Sequence, residues 1–211
     1  MNLRDALKLY VIPDRRVGAP RSIEEQAGLA LDGGATMIQL RDKEMSGREL
    51  YETARRVSVL CRNRGAVFVV NDRFDIALAS GAHGVHLGKE DLPVSVVRKI
   101  VPAGFLIGAT AHSTEEGRAA EEQGADYVGI GAAFPTGTKT GASVIGVEGI
   151  RAIREALSLP SVAIGGISEE NAAEVLSAGV DGIAVVASVV GREDIAAAAR
   201  RLSEMVFSGK P

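Results

Sequence analysis

Eight short apolar runs, rich in β-branched residues, alternate along the chain with segments of helical period, and no other feature restricts the fold so strongly. The runs are KLYVIP (8–13), TMIQLR (36–41), VFVVN (67–71), GVHLG (84–88), FLIGAT (105–110), YVGIGA (127–132), SVAIGG (161–166) and GIAVVA (182–187). Between them apolar residues return at helical spacing: Leu50, Ala54, Val57 and Cys61 after the second run, Ile195, Ala199, Leu202 and Val206 after the last. Strands that each lead into a helix call for a parallel sheet covered by its crossovers. Eight such units in 211 residues, with no break in composition and no linker, predict an α/β fold: one (β/α)8 barrel spanning 1–211, the TIM-barrel architecture, rather than an open doubly wound sheet.

Local signals agree with that reading. Ser22-x-x-Glu25, Ser46-x-x-Glu49 and Ser113-x-x-Glu116 have the spacing of capping boxes, in which two side chains satisfy free amides of a first helical turn. GGAT (33–36), GAHG (81–84), GADY (124–127) and GVDG (179–182) stand where helices end, as left-handed glycine caps require.

Right-handed crossovers bring every strand's C-terminal end to one face of a barrel, so functional residues are expected there. Gln39, Arg41 and Lys43 are spaced two apart at the end of the second run and share one side of a strand. Pointing outward, two cations would meet the packed helix layer, so the barrel mouth is the expected direction. Asn71 and Asp72 follow the third run and Asp91 the fourth. Two carboxylates beside a cationic cluster suit Mg²⁺, which takes one or two carboxylates together with phosphate oxygens and water. The competing role for each Asp is to cap the helix that follows.

Gly165 and Gly166 end the seventh run just before an expected helix, where backbone amides can hold a phosphate. His112 reads either as an acid/base or as a polar residue at the mouth, His86 as a residue of the core or lumen, and His83 as solvent-facing. FPTGTKTGAS (134–143) resembles a nucleotide phosphate loop but fails its spacing, because Gly137 is followed by Thr138 rather than Lys and Gly131 lies one residue too far back.

A net charge of −3 leaves no basic footprint for nucleic acid, so an anionic ligand has to be met by local charge. Cys61 is the only cysteine, and the start MNLRDALKLYVI lacks the long apolar region of a secretion signal. No apolar run approaches the ~20 residues of a membrane span. A cytoplasmic protein without membrane or nucleic-acid partners is the expectation, and homo-oligomerisation is left open.

QLRDK (39–43), NDRFDIALASGAHGVHLGKEDLP (71–93), GADYVGIGAAFPTGTKTG (124–141) and AIGGIS (163–168) resemble the thiamine phosphate synthase family, also called thiamine-phosphate pyrophosphorylase. The resemblance runs from about Tyr10 to the last strand. It implies condensation of a hydroxymethylpyrimidine diphosphate with a thiazole phosphate, giving thiamine phosphate and diphosphate with one Mg²⁺ per subunit. Carried over residue by residue, it assigns Gln39, Leu40, Arg41, Asp42, Lys43, Asn71, Thr110 and Lys139 to the pyrimidine diphosphate, with Arg41, Lys43, Thr110 and Lys139 as catalytic residues. It assigns Thr136, Gly137, Thr138, Gly166, Val186 and Ala187 to the thiazole phosphate, and Asp72 and Asp91 to Mg²⁺. Two positions depart from the family pattern, because Thr110 and Ala187 stand where Ser is common. A related family, the thiazole tautomerases, would use His112 for proton transfer. A non-catalytic barrel that binds a phosphorylated metabolite is a third reading.

Overall fold

The computed structural model describes residues 2–137 and 143–208. Its first half runs α1 (Leu3–Ala6), β1 (Leu9–Val11), α2 (Ile23–Asp32), β2 (Met37–Leu40), α3 (Gly47–Asn63), β3 (Val67–Asn71), α4 (Phe74–Ser80), β4 (Gly84–Leu87) and α5 (Val94–Ile100). The second half continues β5 (Leu106–Ala111), α6 (Thr114–Glu122), β6 (Tyr127–Gly131), α7 (Gly146–Glu155), β7 (Ser161–Ile164), α8 (Ala172–Leu176), β8 (Gly182–Val185), α9 (Ala187–Val190) and α10 (Ile195–Ser208). Each of the eight apolar runs forms a strand. All neighbours are parallel, and β1 pairs with β8 as well as with β2, so the sheet closes into the expected barrel.

The period-two alternation of each strand divides the apolar residues between two sides of the sheet. Leu9 and Val11, Ile38 and Leu40, and Phe68 and Val70 belong to the large cluster shared with the helices. Tyr10, Met37, Val69, Tyr127, Val162 and Ala184 form a second, smaller cluster inside the barrel. Complete burial of a side chain such as Phe68 contributes about 1.5–3 kcal/mol, and the outer cluster therefore carries most of the stability.

Both boxes at Ser22 and Ser46 are complete. The one expected at Ser113 is half formed. Ser113 accepts from the Glu116 amide, but the Glu116 carboxylate accepts from the His112 amide at 2.8 Å instead of returning to Ser113. Left-handed backbone closes the four glycine turns, at Gly34, Gly81, Gly124 and Gly179. Among the described residues, no helix is long and apolar enough to cross a membrane.

Candidate active site

The C-terminal strand ends enclose a cavity of about 180 Å³. Gln39 enters it from β2 and Arg41 from just after that strand, Asn71 from β3, Thr110 from β5 and His112 from just after β5. Thr136 reaches it from the segment after β6, Gly166 from the turn after β7, and Val186, Ala187 and Ser188 from the end of β8. Ile12, Val162 and Ile164 supply apolar wall, so a ligand would meet a few polar groups on a mostly apolar surface, the usual make-up of a small-molecule site.

Five side chains form one hydrogen-bonded chain across the lumen, and four of them, Gln39, Tyr10, His86 and Thr110, also line the cavity. Gln39 Nε2 donates to the Tyr10 hydroxyl at 2.6 Å, and that hydroxyl lies 3.2 Å from the hydroxyl of Tyr127. The Tyr127 hydroxyl is 3.2 Å from His86 Nδ1, and His86 Nε2 is 3.0 Å from Thr110 Oγ1. Both tyrosines are fully buried, which pushes their hydroxyl pKa values up and keeps the protons in place. Room for Tyr127 comes from Gly108 on the neighbouring strand, where a Cβ would lie 2.1 Å from the ring carbon Cζ. His86 is thus a lumen residue, as its sequence position suggests.

The two carboxylates meet at the rim. Asp72 and Asp91 flank a second, more open depression together with Arg73, Phe74, Glu90 and Leu92. Burial, then the Asp91 carboxylate beside it, push the Asp72 carboxyl up to about 6 despite Lys43 and Arg41 nearby. Asp72 also holds a left-handed backbone (φ 62°), uncommon for a residue with a side chain, and its amide donates to the His86 carbonyl at 2.8 Å. Neither Asp caps a helix. α4 and α5 begin after Arg73 and Pro93 without a side-chain cap, and the Asp91 carboxylate instead accepts from the Gly88 amide at 2.7 Å.

Other expected site residues lie elsewhere. The Leu40 side chain is fully buried on the helix side of β2, because period-two alternation turns it away from Gln39. Asp42 is committed within its loop. Its carboxylate accepts from Arg15 Nε at 2.5 Å and from the Glu44 and Met45 amides at 2.8 Å each, and its pKa is lowered by those hydrogen bonds, which outweigh the largest single influence, burial. Lys43 is exposed outside the cavity, with Nζ 3.6 Å from Asp72. Gly137 is exposed next to Thr136, while Thr138 and Lys139 lie outside the described residues. The turn at Gly165 and Gly166 does not lead straight into a helix, since α8 begins only at Ala172. Any anion held there would meet turn amides rather than a helix end.

His112 lines the cavity, with Nδ1 3.2 Å from Glu116 Oε2. Tyr10 and Tyr127 had no place among the expected site residues. A polar aromatic at the inward position of an otherwise apolar strand was the available signal, because a buried hydroxyl needs a partner.

Fold and cavity define the class: a (β/α)8 barrel with a cavity at the C-terminal ends of its strands. The family model for thiamine monophosphate synthase matches residues 9–189. Thiamine-phosphate synthase of Coprothermobacter proteolyticus is 49% identical over 97% of this chain and 97% of its own. That of Moorella thermoacetica is 52% identical over 94% and 95%. The solved structure of thiamine phosphate pyrophosphorylase from Pyrococcus furiosus superposes with a TM-score of 0.92, at 49% identity over 98% of both chains. The chain belongs to the thiamine monophosphate synthase family and is an enzyme of the transferase class.

Proposed function

We propose that the chain joins a pyrimidine carrying a diphosphooxymethyl group to a thiazole carrying a phosphooxyethyl group, yielding thiamine phosphate and diphosphate. One observation carries this reading: Gln39, Arg41, Asn71, Thr110, Thr136, Gly166 and Val186, from six strand ends, converge on one cavity with a carboxylate pair at its rim.

In the proposed reaction the C–O bond between the pyrimidine methylene and diphosphate breaks, and the electron pair leaves with the diphosphate. The methylene cation is stabilised by the electron-rich ring, and the thiazole nitrogen then supplies its lone pair to form the new C–N bond. That nitrogen carries no proton, so no general base is needed, and the protein's work is to position both halves and stabilise the departing anion. Arg41 and Asn71 offer donors to the diphosphate and Thr110 a hydroxyl. Thr136 and the turn at Gly166 face the region proposed for the thiazole phosphate.

Asp72 and Asp91 fit a hard divalent cation. They are adjacent, partly desolvated oxygen donors with a carboxyl held above its ordinary range, and an ion between them would relieve their repulsion. Among the described residues no group of three or more His, Cys, Asp or Glu forms a metal cluster, so substrate oxygens and water would complete the shell. Mg²⁺ bound there would neutralise charge on the diphosphate oxygens.

Incubation of the protein with both phosphorylated halves and Mg²⁺ tests the proposal, with thiamine phosphate and diphosphate expected in equal amounts. Absence of both products overturns it. Isomerisation of the thiazole without any pyrimidine would instead favour the tautomerase reading, for which His112 in the cavity is the available acid/base.

A further inference from the structure

The lumen chain links Gln39 at the end of β2 to Thr110 on β5 through Tyr10, Tyr127 and His86, of which Tyr10 and His86 also line the cavity. Every link is a hydrogen bond between groups able to act as donor or acceptor, so a requirement at one end sets the direction of all the others. Under the proposed function Thr110 faces an anion, which offers only acceptors. Its single hydroxyl proton must then point into the cavity, and it cannot donate to His86 Nε2. A neutral His86 then carries its proton on Nε2 and accepts at Nδ1. Tyr127 in turn must donate to His86, Tyr10 to Tyr127, and Gln39 to Tyr10. The Gln39 amide has this orientation, with Nε2 at 2.6 Å from the Tyr10 hydroxyl.

We infer that Tyr10, Tyr127 and His86 are positioning residues: a one-way hydrogen-bond chain starting at Gln39 locks His86 as the Nε2–H tautomer and holds the Thr110 hydroxyl as a donor toward the leaving diphosphate. The inference rests on the proposed function for the identity of the anion. It assigns a directional role to two tyrosines that a packing account would treat as lumen filler. Neutral links suit this role, since burial raises both hydroxyl pKa values and no link has to ionise.

The wild-type resting enzyme decides the first half of the claim. The chain has three histidines, so imidazole ¹⁵N spectra contain three resolvable sets, with His83→Gln and His112→Gln variants removing the other two. His86 is expected to show protonated Nε2 and unprotonated Nδ1, and Tyr127→Phe is expected to give a mixture of tautomers. A wild-type Nδ1–H tautomer overturns the inference, as does an unchanged tautomer in Tyr127→Phe. Kinetics decide the second half. Tyr127→Phe should lower kcat roughly tenfold with KM changed by less than about twofold, the pattern of an interaction expressed in the transition state. In a Thr110→Val background the same substitution should cost nothing further, whereas a purely structural tyrosine would cost about the same in both backgrounds. Tyr10→Phe, one link further away, provides the same tests should Tyr127→Phe fold poorly. A protein that shows the Nε2–H tautomer yet makes no thiamine phosphate would defeat the proposed function while leaving the direction of the chain standing.

Discussion

Lys43 Nζ lies 3.6 Å from the Asp72 carboxylate, joining the loop after β2 to the loop after β3 at the edge of the cavity. The lysine is exposed, so its attraction is screened and weak. Burial and the Asp91 carboxylate outweigh it, and Asp72 stays above the usual carboxylate range. Without a cation, the rim is an electrostatic liability kept within an otherwise stable barrel.

Asp72→Asn should therefore stabilise the metal-free protein. Because the folded-state pKa of about 6 exceeds the ordinary 3.8, the native state binds more protons between those values and loses stability as pH rises through them. Asn removes that loss and also tolerates the left-handed backbone at φ 62°. A gain of about 1 kcal/mol, or roughly 2–4 °C in Tm, is expected at pH 7.5 in chelator, shrinking as pH falls toward 4. Added Mg²⁺ should raise the wild-type Tm and leave the variant unmoved. Thermal melts at two pH values, with and without Mg²⁺, check all of this.

The barrel was legible because strand and helix periods are local properties, written in runs such as VFVVN and in the Ser22 and Ser46 boxes. The convergence of Gln39 and Arg41 on the mouth was legible for the same reason, since the strand period sets their direction. What escaped depends on groups far apart in sequence. Tyr10 and Tyr127 meet across the barrel, separated by 117 positions, and no local pattern announces that. The third capping box misled because Glu116 had a competing partner in the His112 amide, and Asp42 misled because Arg15, from another loop, occupies its carboxylate.

Gly166→Ala should be damaging where Gly137→Ala is not. Gly166 has φ 64°, and a Cβ there would lie 2.6 Å from the Pro135 carbonyl oxygen, so the change combines backbone strain with a clash against the segment after β6. A loss of about 1–3 kcal/mol and a raised KM for the thiazole phosphate are expected. At Gly137 an added Cβ meets no described atom within 4 Å, and stability should stay within about 0.5 kcal/mol of wild type. Urea unfolding of the two variants makes the comparison.

His83 should give the fold a separate acid sensitivity. Its Nδ1 accepts from the Phe68 amide at 3.0 Å, and partial burial, then Arg62, hold its pKa below the ordinary 6.5. The unfolded chain therefore binds a proton before the folded one does, and stability is lost as pH falls through 6.5 and below. His83→Gln should flatten that part of the profile. The difference between wild-type and variant Tm, followed from pH 7.5 down to about 5, isolates His83 from the opposite trend at Asp72. A constant difference across the range would show that His83 does not titrate there.

Arg41 is the one permanent cation among the described residues that line the cavity, so the departing anion should depend on it more than on exposed Lys43. A guanidinium presents a planar fork that can grip two phosphate oxygens together, whereas an ammonium acts as a single point of charge. Arg41→Ala should lower kcat/KM by about 100-fold or more, in line with removal of a charge-stabilising donor from a largely apolar cavity. Arg41→Lys should recover only part of that loss, because the charge returns without the fork. Both variants should keep the wild-type melting temperature within a few degrees, since Arg41 lies at the mouth and outside the two apolar clusters. Steady-state rates of diphosphate release, measured beside thermal melts, separate the two effects. Full recovery by Lys would mean that net charge alone serves the leaving group and that the geometry of Arg41 does not.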